Sequence, residues 1–218
     1  TDDTIAIMVE PVQGEGGVFP AQEAFLKSLR ALCDERDILL ILDEIQCGMG
    51  RTGAMFAWQK YGVKPDIMTC AKALGCGVPV GAFLMTEKVG ANSLKAGDHG
   101  TTYGGNPLAC AAVCKVLDLF EKNHIIEHVN EVSGYLEEKL DALAAKYERV
   151  LARRGMGLMQ GLVLDGPAAP VIASAMEDGL ILINAGPNIL RFVPPLVITA
   201  GEVDEMAKIL DRCLAKEA

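Results

Sequence analysis

The chain has 218 residues, of which 50% are hydrophobic and 22% are charged, a composition typical of a globular protein with a buried core. Its formal net charge of -9 disfavours nucleic acid as a partner, because an acidic surface repels phosphate. No apolar run approaches the roughly 20 residues of a membrane span and no secretion signal is recognisable, so we predict a cytoplasmic protein whose seven cysteines are reduced and mostly buried.

The first half of the chain alternates predicted strands and helices. Continuous apolar runs predict strands that are buried on both faces, and the 3.6-residue period predicts helices. The strands are predicted over 5–9, 38–42, 66–70 and 78–85, the helices over 21–36 and 56–61, and a glycine-rich loop over 11–20. This order predicts an α/β fold with a mixed, mostly parallel sheet and helices on both faces. Because the chain opens directly on a strand, we expect it to begin inside a domain.

The second half predicts a small α+β domain. Its helices are predicted over 107–122, 125–147, 171–177 and 201–214, and its short strands over 162–164, 181–183 and 189–193. We place the domain boundary near Asn123, so that residues 1–122 form the second half of a large domain and residues 123–218 form a small C-terminal domain.

Polar residues follow several of the predicted strands, where ligands bind in open α/β sheets. Glu10, Asp43 and Lys72 each lie at such a strand end, although any one of them alone is more simply explained as a solvated loop charge. Lys72 is the only charged residue from 67 to 86, so we expect its amine to be partly desolvated and nucleophilic. Asp43 ends the preceding strand, and a carboxylate there could keep a pyridine nitrogen protonated.

Five motifs, in order along the chain, carry a resemblance to a known family. They are EPVQGEGG at 10–17, LDEIQCGMGRTG at 42–53, PDIMTCAKALG at 65–75, HGTTYGGNPLA at 99–109 and LRFVPPL at 190–196. Together they resemble the class III pyridoxal-phosphate (PLP) aminotransferases over essentially the whole chain. The resemblance implies the C-terminal part of a fold-type I PLP-dependent transferase, with PLP as the cofactor.

The resemblance also implies roles for individual residues near the cofactor. Lys72 matches the lysine that forms the Schiff base and moves the proton between the substrate Cα and the cofactor. Asp43 matches the partner of the pyridinium nitrogen, and Gln46 matches the residue near the phenolic oxygen. Thr102 matches the residue that reaches the cofactor phosphate of the neighbouring subunit, which implies a homodimer with the active site at the subunit interface.

Two further residues match the substrate site of the family. Arg191 resembles the arginine that holds a substrate α-carboxylate, a task that suits its planar fork. Glu15 resembles the carboxylate that pairs with that arginine when no α-carboxylate is to be bound. Such a pair implies a site that accepts an ω-amine donor and then glutamate.

Within the family, the motifs are most similar to those of the acetylornithine aminotransferase subfamily of arginine biosynthesis. The implied substrates are N-acetylornithine, which gives its δ-amino group, and 2-oxoglutarate, which receives it. Ornithine, succinylornithine and 4-aminobutyrate aminotransferases share most of these motifs and stay open as alternatives. Cys76 departs from the family, which usually has glycine at this position.

The resemblance covers only the C-terminal part of the family. The N-terminal half supplies the glycine-rich phosphate cradle, the aromatic that stacks on the ring and a second arginine. We therefore expect the chain alone to bind PLP weakly and not to turn over, and a non-catalytic fragment stays open as an alternative.

Two other sequence patterns give weaker evidence of function. Residues 48–53 form a G-x-G-x-x-G pattern, which alone would indicate dinucleotide binding. That fingerprint needs its first glycine directly after a strand, whereas Asp43 and Glu44 intervene here and would repel a pyrophosphate. His124 and His128 have the i, i+4 spacing of zinc ligands, but no third ligand is evident, so no metal site is predicted.

Overall fold

A computed structural model describes residues 1–216, which fold as two compact units. Unit 1 comprises residues 1–11, 21–49 and 54–124, and unit 2 comprises residues 12–20, 50–53 and 125–218 as far as they are described. Two short segments that precede residue 122 therefore belong to unit 2. Within residues 1–216, no helix combines the length and the apolar character that crossing a membrane requires.

Unit 1 is built on a four-stranded sheet in the order β1-β4-β5-β6, in which the first three strands are parallel and the last is antiparallel. Its strands are β1 (Ala6–Val9), β4 (Leu39–Asp43), β5 (Ile67–Cys70) and β6 (Ala82–Met85). Its helices are α1 (Glu23–Arg36), α2 (Ala57–Tyr61), α3 (Glu87–Ser93) and α4 (Pro107–Lys122). The predicted α/β class with a mixed, mostly parallel sheet is confirmed.

Helix α1 buries a narrower stripe than its sequence predicts. Leu26 and Cys33 are fully buried, whereas Phe25 and Leu32 are 49% and 40% exposed. The seven-residue spacing of Leu26 and Cys33 brings both to one side of the helix, and α1 packs against β1 and β4. Apolar residues next to that stripe stay partly in solvent, so α1 buries only part of the apolar surface that its 3.6-residue period suggests.

Unit 2 is built on an antiparallel sheet in the order β7-β8-β10-β9, with a separate hairpin of β2 and β3. Its strands are β2 (Val12–Gln13), β3 (Phe19–Pro20), β7 (Val150–Met156), β8 (Met159–Leu164), β9 (Ile183–Asn184) and β10 (Ile189–Phe192). Its helices are α5 (Ile125–Lys146), α6 (Ala169–Glu177) and α7 (Ala200–Lys216). Strand β7 was not predicted from the sequence, and the segment that holds the β2–β3 hairpin was predicted only as a loop.

The segment 50–53 is anchored in unit 2 by Arg51. The guanidinium donates hydrogen bonds to the backbone oxygens of Leu158 (3.1 Å) and Pro194 (2.5 Å), while the Leu158 N–H donates to the Arg51 oxygen (2.9 Å). Burial lowers the pKa of Arg51 to about 10. Thr52 is also fully buried. The last four residues of the G-x-G-x-x-G pattern thus serve as a buried connection within unit 2.

Candidate active site

The ends of β4 and β5 bring two of the predicted site residues to one edge of the unit 1 sheet. Asp43 is the last residue of β4 and pairs in register with Thr69 of the parallel strand β5. Lys72 begins a short 3-10 turn (Lys72–Leu74) directly after β5. The Glu44 N–H donates to the Thr69 oxygen (3.0 Å), which links the segment that follows β4 to strand β5. Because the carboxyl ends of parallel strands share one edge, this is where a ligand is expected.

Asp43 keeps one carboxylate oxygen for a ligand. Its Oδ1 accepts a hydrogen bond from the Ile45 N–H (2.9 Å), which closes a tight turn after β4. Its Oδ2 has no hydrogen-bond partner among the described residues, and the side chain is half-buried. Gln46 follows three residues later and is also half-buried.

Lys72 has an unusual backbone and an unengaged amine. Its φ is 45°, in the left-handed region that few residues other than glycine adopt. Such strain often marks functional sites. Within residues 1–216 its amine forms no hydrogen bond and no ion pair. The expected desolvation of this lysine is wrong for the described chain, because Lys72 is exposed and only Leu74 of the same turn is buried.

Glu44 is a buried carboxyl that the sequence analysis did not assign to the site. It is 1% exposed, and it accepts hydrogen bonds from the Ala57 N–H (2.5 Å) and the Trp58 N–H (2.8 Å) at the start of α2. A carboxylate is stabilised there by the N–H groups that a helix leaves unpaired. Burial nevertheless raises the pKa of Glu44 to about 7, against these two hydrogen bonds. Only its position beside Asp43 could have indicated it from sequence.

The same turn requires a glycine at position 48. The Gly48 N–H donates to the Glu44 oxygen (3.0 Å). A Cβ at Gly48 would lie 2.6 Å from that oxygen, a distance that would force the backbone to shift. Glu44 and Gly48 therefore fix the turn that carries Asp43 and Gln46.

Thr102 lies in the exposed loop 94–106 that precedes α4. Asn106 caps that helix, since its Oδ1 accepts from the Ala109 N–H (3.0 Å). The neighbours of Thr102, namely Thr101 and Tyr103, border an open cleft of about 390 Å³. The other residues of this cleft come from the turn before β6 and from the start of α4: Pro79, Val80, Gly81, Gly104, Gly105, Asn106 and Ala109.

Arg191 and Glu15 meet in unit 2. Arg191 lies in β10 with its side chain 9% exposed, and its Nη1 donates to the Glu15 Oε1 at 2.6 Å. The Glu15 side chain is 77% exposed. The cation is therefore fixed and buried, while its carboxylate partner lies largely in solvent.

The chain matches the aminotransferase class-III family over residues 1–214, so it belongs to that family. It is 47% identical to the acetylornithine aminotransferase of Gloeobacter violaceus, over 99% of this chain and 54% of that protein. It is 46% identical to the succinylornithine transaminase of Yersinia enterocolitica, over 94% of this chain and 50% of that protein. The chain thus spans about half the length of the curated relatives it matches.

Solved structures agree with this assignment. The N-acetylornithine aminotransferase of Stenotrophomonas maltophilia is 43% identical with a TM-score of 0.89, over 99% of this chain and 57% of that one. The ornithine aminotransferase of Plasmodium yoelii is 31% identical with a TM-score of 0.92, over 98% of this chain and 57% of that one. Unit 1 is therefore part of the fold of a PLP-dependent aminotransferase.

The residues present fit the cofactor of this family, PLP. An aldehyde needs a primary amine with no competing partner, and Lys72 offers one. A pyridine nitrogen needs a carboxylate oxygen, and the Oδ2 of Asp43 is available at the neighbouring strand end. Lys72 and Asp43 would hold these two ends of the ring.

Proposed function

We propose that the chain is the C-terminal part of a PLP-dependent aminotransferase that moves the δ-amino group of N-acetylornithine to 2-oxoglutarate in arginine biosynthesis. The observation that carries the proposal is the unengaged amine of Lys72, on a left-handed backbone, beyond the same sheet edge as Asp43. The names of the relatives support the choice of donor. The parent enzyme would be a cytoplasmic homodimer.

Each site residue has a distinct task in this proposal. When bound, PLP supplies an electron sink for the charge left after the substrate loses its Cα proton. Lys72 carries the cofactor and then moves that proton as general acid and base. Asp43 would hold the ring nitrogen protonated, and Gln46 would contact the phenolic oxygen. Thr102 donates its hydroxyl to the cofactor phosphate of the neighbouring subunit.

Arg191 and Glu15 would let one site accept two unlike substrates. With Glu15 in place, Arg191 is neutralised and an ω-amine donor enters without an α-carboxylate at this position. With Glu15 turned into solvent, the buried Arg191 binds the α-carboxylate of 2-oxoglutarate or glutamate through its fork. The high exposure of Glu15 supports this movement, because its carboxylate can leave Arg191 by a side-chain rotation and is then hydrated by solvent.

An assay of four amino donors tests the proposal. The parent enzyme, which joins this chain to its upstream half, would be incubated with PLP, 2-oxoglutarate and one donor, and glutamate would be measured. We expect N-acetylornithine to give the highest kcat/KM, and Lys72→Ala to abolish glutamate formation with every donor. A preference for N-succinylornithine would favour the function named for the Yersinia relatives. Preference for ornithine or 4-aminobutyrate would also reject the proposed donor, and no turnover of any donor would reject the activity.

The 218-residue chain alone is expected to bind PLP weakly and to form no glutamate in this assay, since it spans about half the length of its relatives. Turnover by the purified chain would contradict this expectation.

A further inference from the structure

A row of three residues crosses the unit 2 sheet beneath the hairpin that carries Glu15. Arg154 of β7 and Arg191 of β10 are both paired in register with Gly161 of the strand between them. Directly paired residues project from the same face of a sheet. Two arginines therefore flank a position that has no side chain.

The hairpin rests over this glycine. A Cβ at Gly161 would lie 3.2 Å from the Cβ of Val18, so only glycine leaves room for Val18 without displacement. Val18 is fully buried and has a left-handed φ of 53°. The N–H groups of Gly17 and Val18 both donate to the Gly14 oxygen at 3.3 Å, which closes a tight turn around Glu15.

Arg154 holds this turn at two points. Its Nε donates to the Gly17 oxygen at 2.6 Å, and its guanidinium lies 5.0 Å from the centre of the Phe19 ring. A Cβ at Gly17 would be 2.5 Å from the Arg154 Nη2, so the guanidinium lies directly against the turn. Desolvation lowers the pKa of Arg154. The backbone that carries Glu15 is thus fixed from one side, while Arg191 takes the carboxylate on the other.

We propose that Arg154 is a positioning residue that holds the turn 14–18 so that Glu15 competes with a ligand carboxylate for Arg191. Opening the site then needs only a rotation of the exposed Glu15 side chain, and the hairpin backbone stays in place. The proposal rests on the function proposed above for Arg191, and it assigns to Arg154 a task that neither its charge nor its sequence position indicates.

A binding titration distinguishes this role from a purely structural one, because the two roles predict opposite changes in affinity. The probe is 2-oxoglutarate, added to the 218-residue chain and followed by NMR chemical shifts. If Arg154 positions the competitor, then Arg154→Met tightens binding, as Glu15→Gln does. Loss of a competitor worth about 1 kcal/mol corresponds to about fivefold tighter binding of 2-oxoglutarate. If Arg154 only supports the fold of the site, Arg154→Met weakens binding instead.

Three further variants complete the test. The adjacent Arg153, whose partners are Asp141, Glu137 and Gln160, is the matched control, and Arg153→Met should leave the affinity unchanged. Arg154→Lys keeps a donor and a cation and should restore part of the wild-type affinity. The double variant Glu15→Gln/Arg154→Met should bind no more tightly than Glu15→Gln alone. Weaker or unchanged binding in Arg154→Met, or further tightening in the double variant, would overturn the proposal.

A second readout separates this proposal from the function on which it rests. If Arg191→Met does not reduce 2-oxoglutarate binding, or if the wild type and Glu15→Gln do not bind it, the proposed role of Arg191 fails. The positioning role of Arg154 is then decided by the hydrogen exchange of the Arg191 Nε–H, measured by NMR. We expect exchange to be several times faster in both Arg154→Met and Glu15→Gln than in the wild type. Exchange as slow in Arg154→Met as in the wild type would overturn the proposal.

Discussion

Replacing Glu44 by glutamine should change how the stability of unit 1 depends on pH. The folded state raises the pKa of this buried carboxyl from the ordinary value of 4.5 to about 7, so the folded protein retains the proton to higher pH than the unfolded chain. The stabilising contribution of the protonated form is complete below pH 4.5 and is lost as pH rises through 7. A difference of this size corresponds to about 3 kcal/mol.

The assay is urea unfolding followed by the fluorescence of Trp58, which is the only tryptophan and whose backbone N–H donates a hydrogen bond to Glu44 Oε1. Glutamine resembles the protonated acid, but its amide NH₂ cannot accept, so at pH 5 Glu44→Gln should be equal to the wild type or less stable by about 1–3 kcal/mol. Between pH 5 and pH 8 the variant should gain about 2.5 kcal/mol relative to the wild type.

A matched control is Glu87→Gln. Glu87 is exposed in the first turn of α3 and has no hydrogen bond or ion pair with another described residue, so its curve should run parallel to that of the wild type. Parallel curves for Glu44→Gln and the wild type would refute the reasoning, because they would mean that Glu44 titrates alike in the folded and unfolded states.

Three other substitutions test the contacts that hold the site in shape, each by urea unfolding at pH 7. Gly48→Ala should lower the free energy of unfolding by roughly 1–3 kcal/mol, because its Cβ would meet the Glu44 oxygen at 2.6 Å; stability equal to the wild type would show that the turn can relax. Arg51→Lys should cost about 1–3 kcal/mol, because one ammonium cannot reproduce the fork that bridges two backbone oxygens; no loss would mean that the fork is dispensable. Tyr61→Phe should cost about 1 kcal/mol, since the buried hydroxyl is placed to donate to two backbone oxygens at 3.0 and 3.2 Å; a gain in stability would contradict this.

Local sequence patterns predicted the helices and strands whose boundaries and apolar pattern are clear in the sequence. Helix α4 was predicted over the residues it occupies, and the structure shows a clear start to it, where Asn106 caps the helix and Pro107 begins it. The strand ends that carry Asp43 and Lys72 were predicted because continuous apolar runs precede both. The α/β class followed from the alternation of such strands with helices.

Features that depend on tertiary pairing could not be predicted in the same way. Strands β2 and β3 have two residues each, too few to show a period. Strand β7 carries Arg153 and Arg154 in its middle, so its sequence resembles a polar loop more than a strand. The row that joins Arg154 to Arg191 depends on the register of three strands, and the exposure of Lys72 depends on how its turn is packed. Neither register nor packing is encoded in the spacing of residues along the chain.

The central claim is that Lys72 carries PLP, and reductive trapping tests it most directly. The 218-residue chain and the parent enzyme would each be incubated with PLP, reduced with borohydride, digested and examined by mass spectrometry. We expect one pyridoxyl group on the peptide that contains Lys72, in the parent enzyme at least, and none in Lys72→Ala. A pyridoxyl group on another lysine, or on none in either protein, would contradict it.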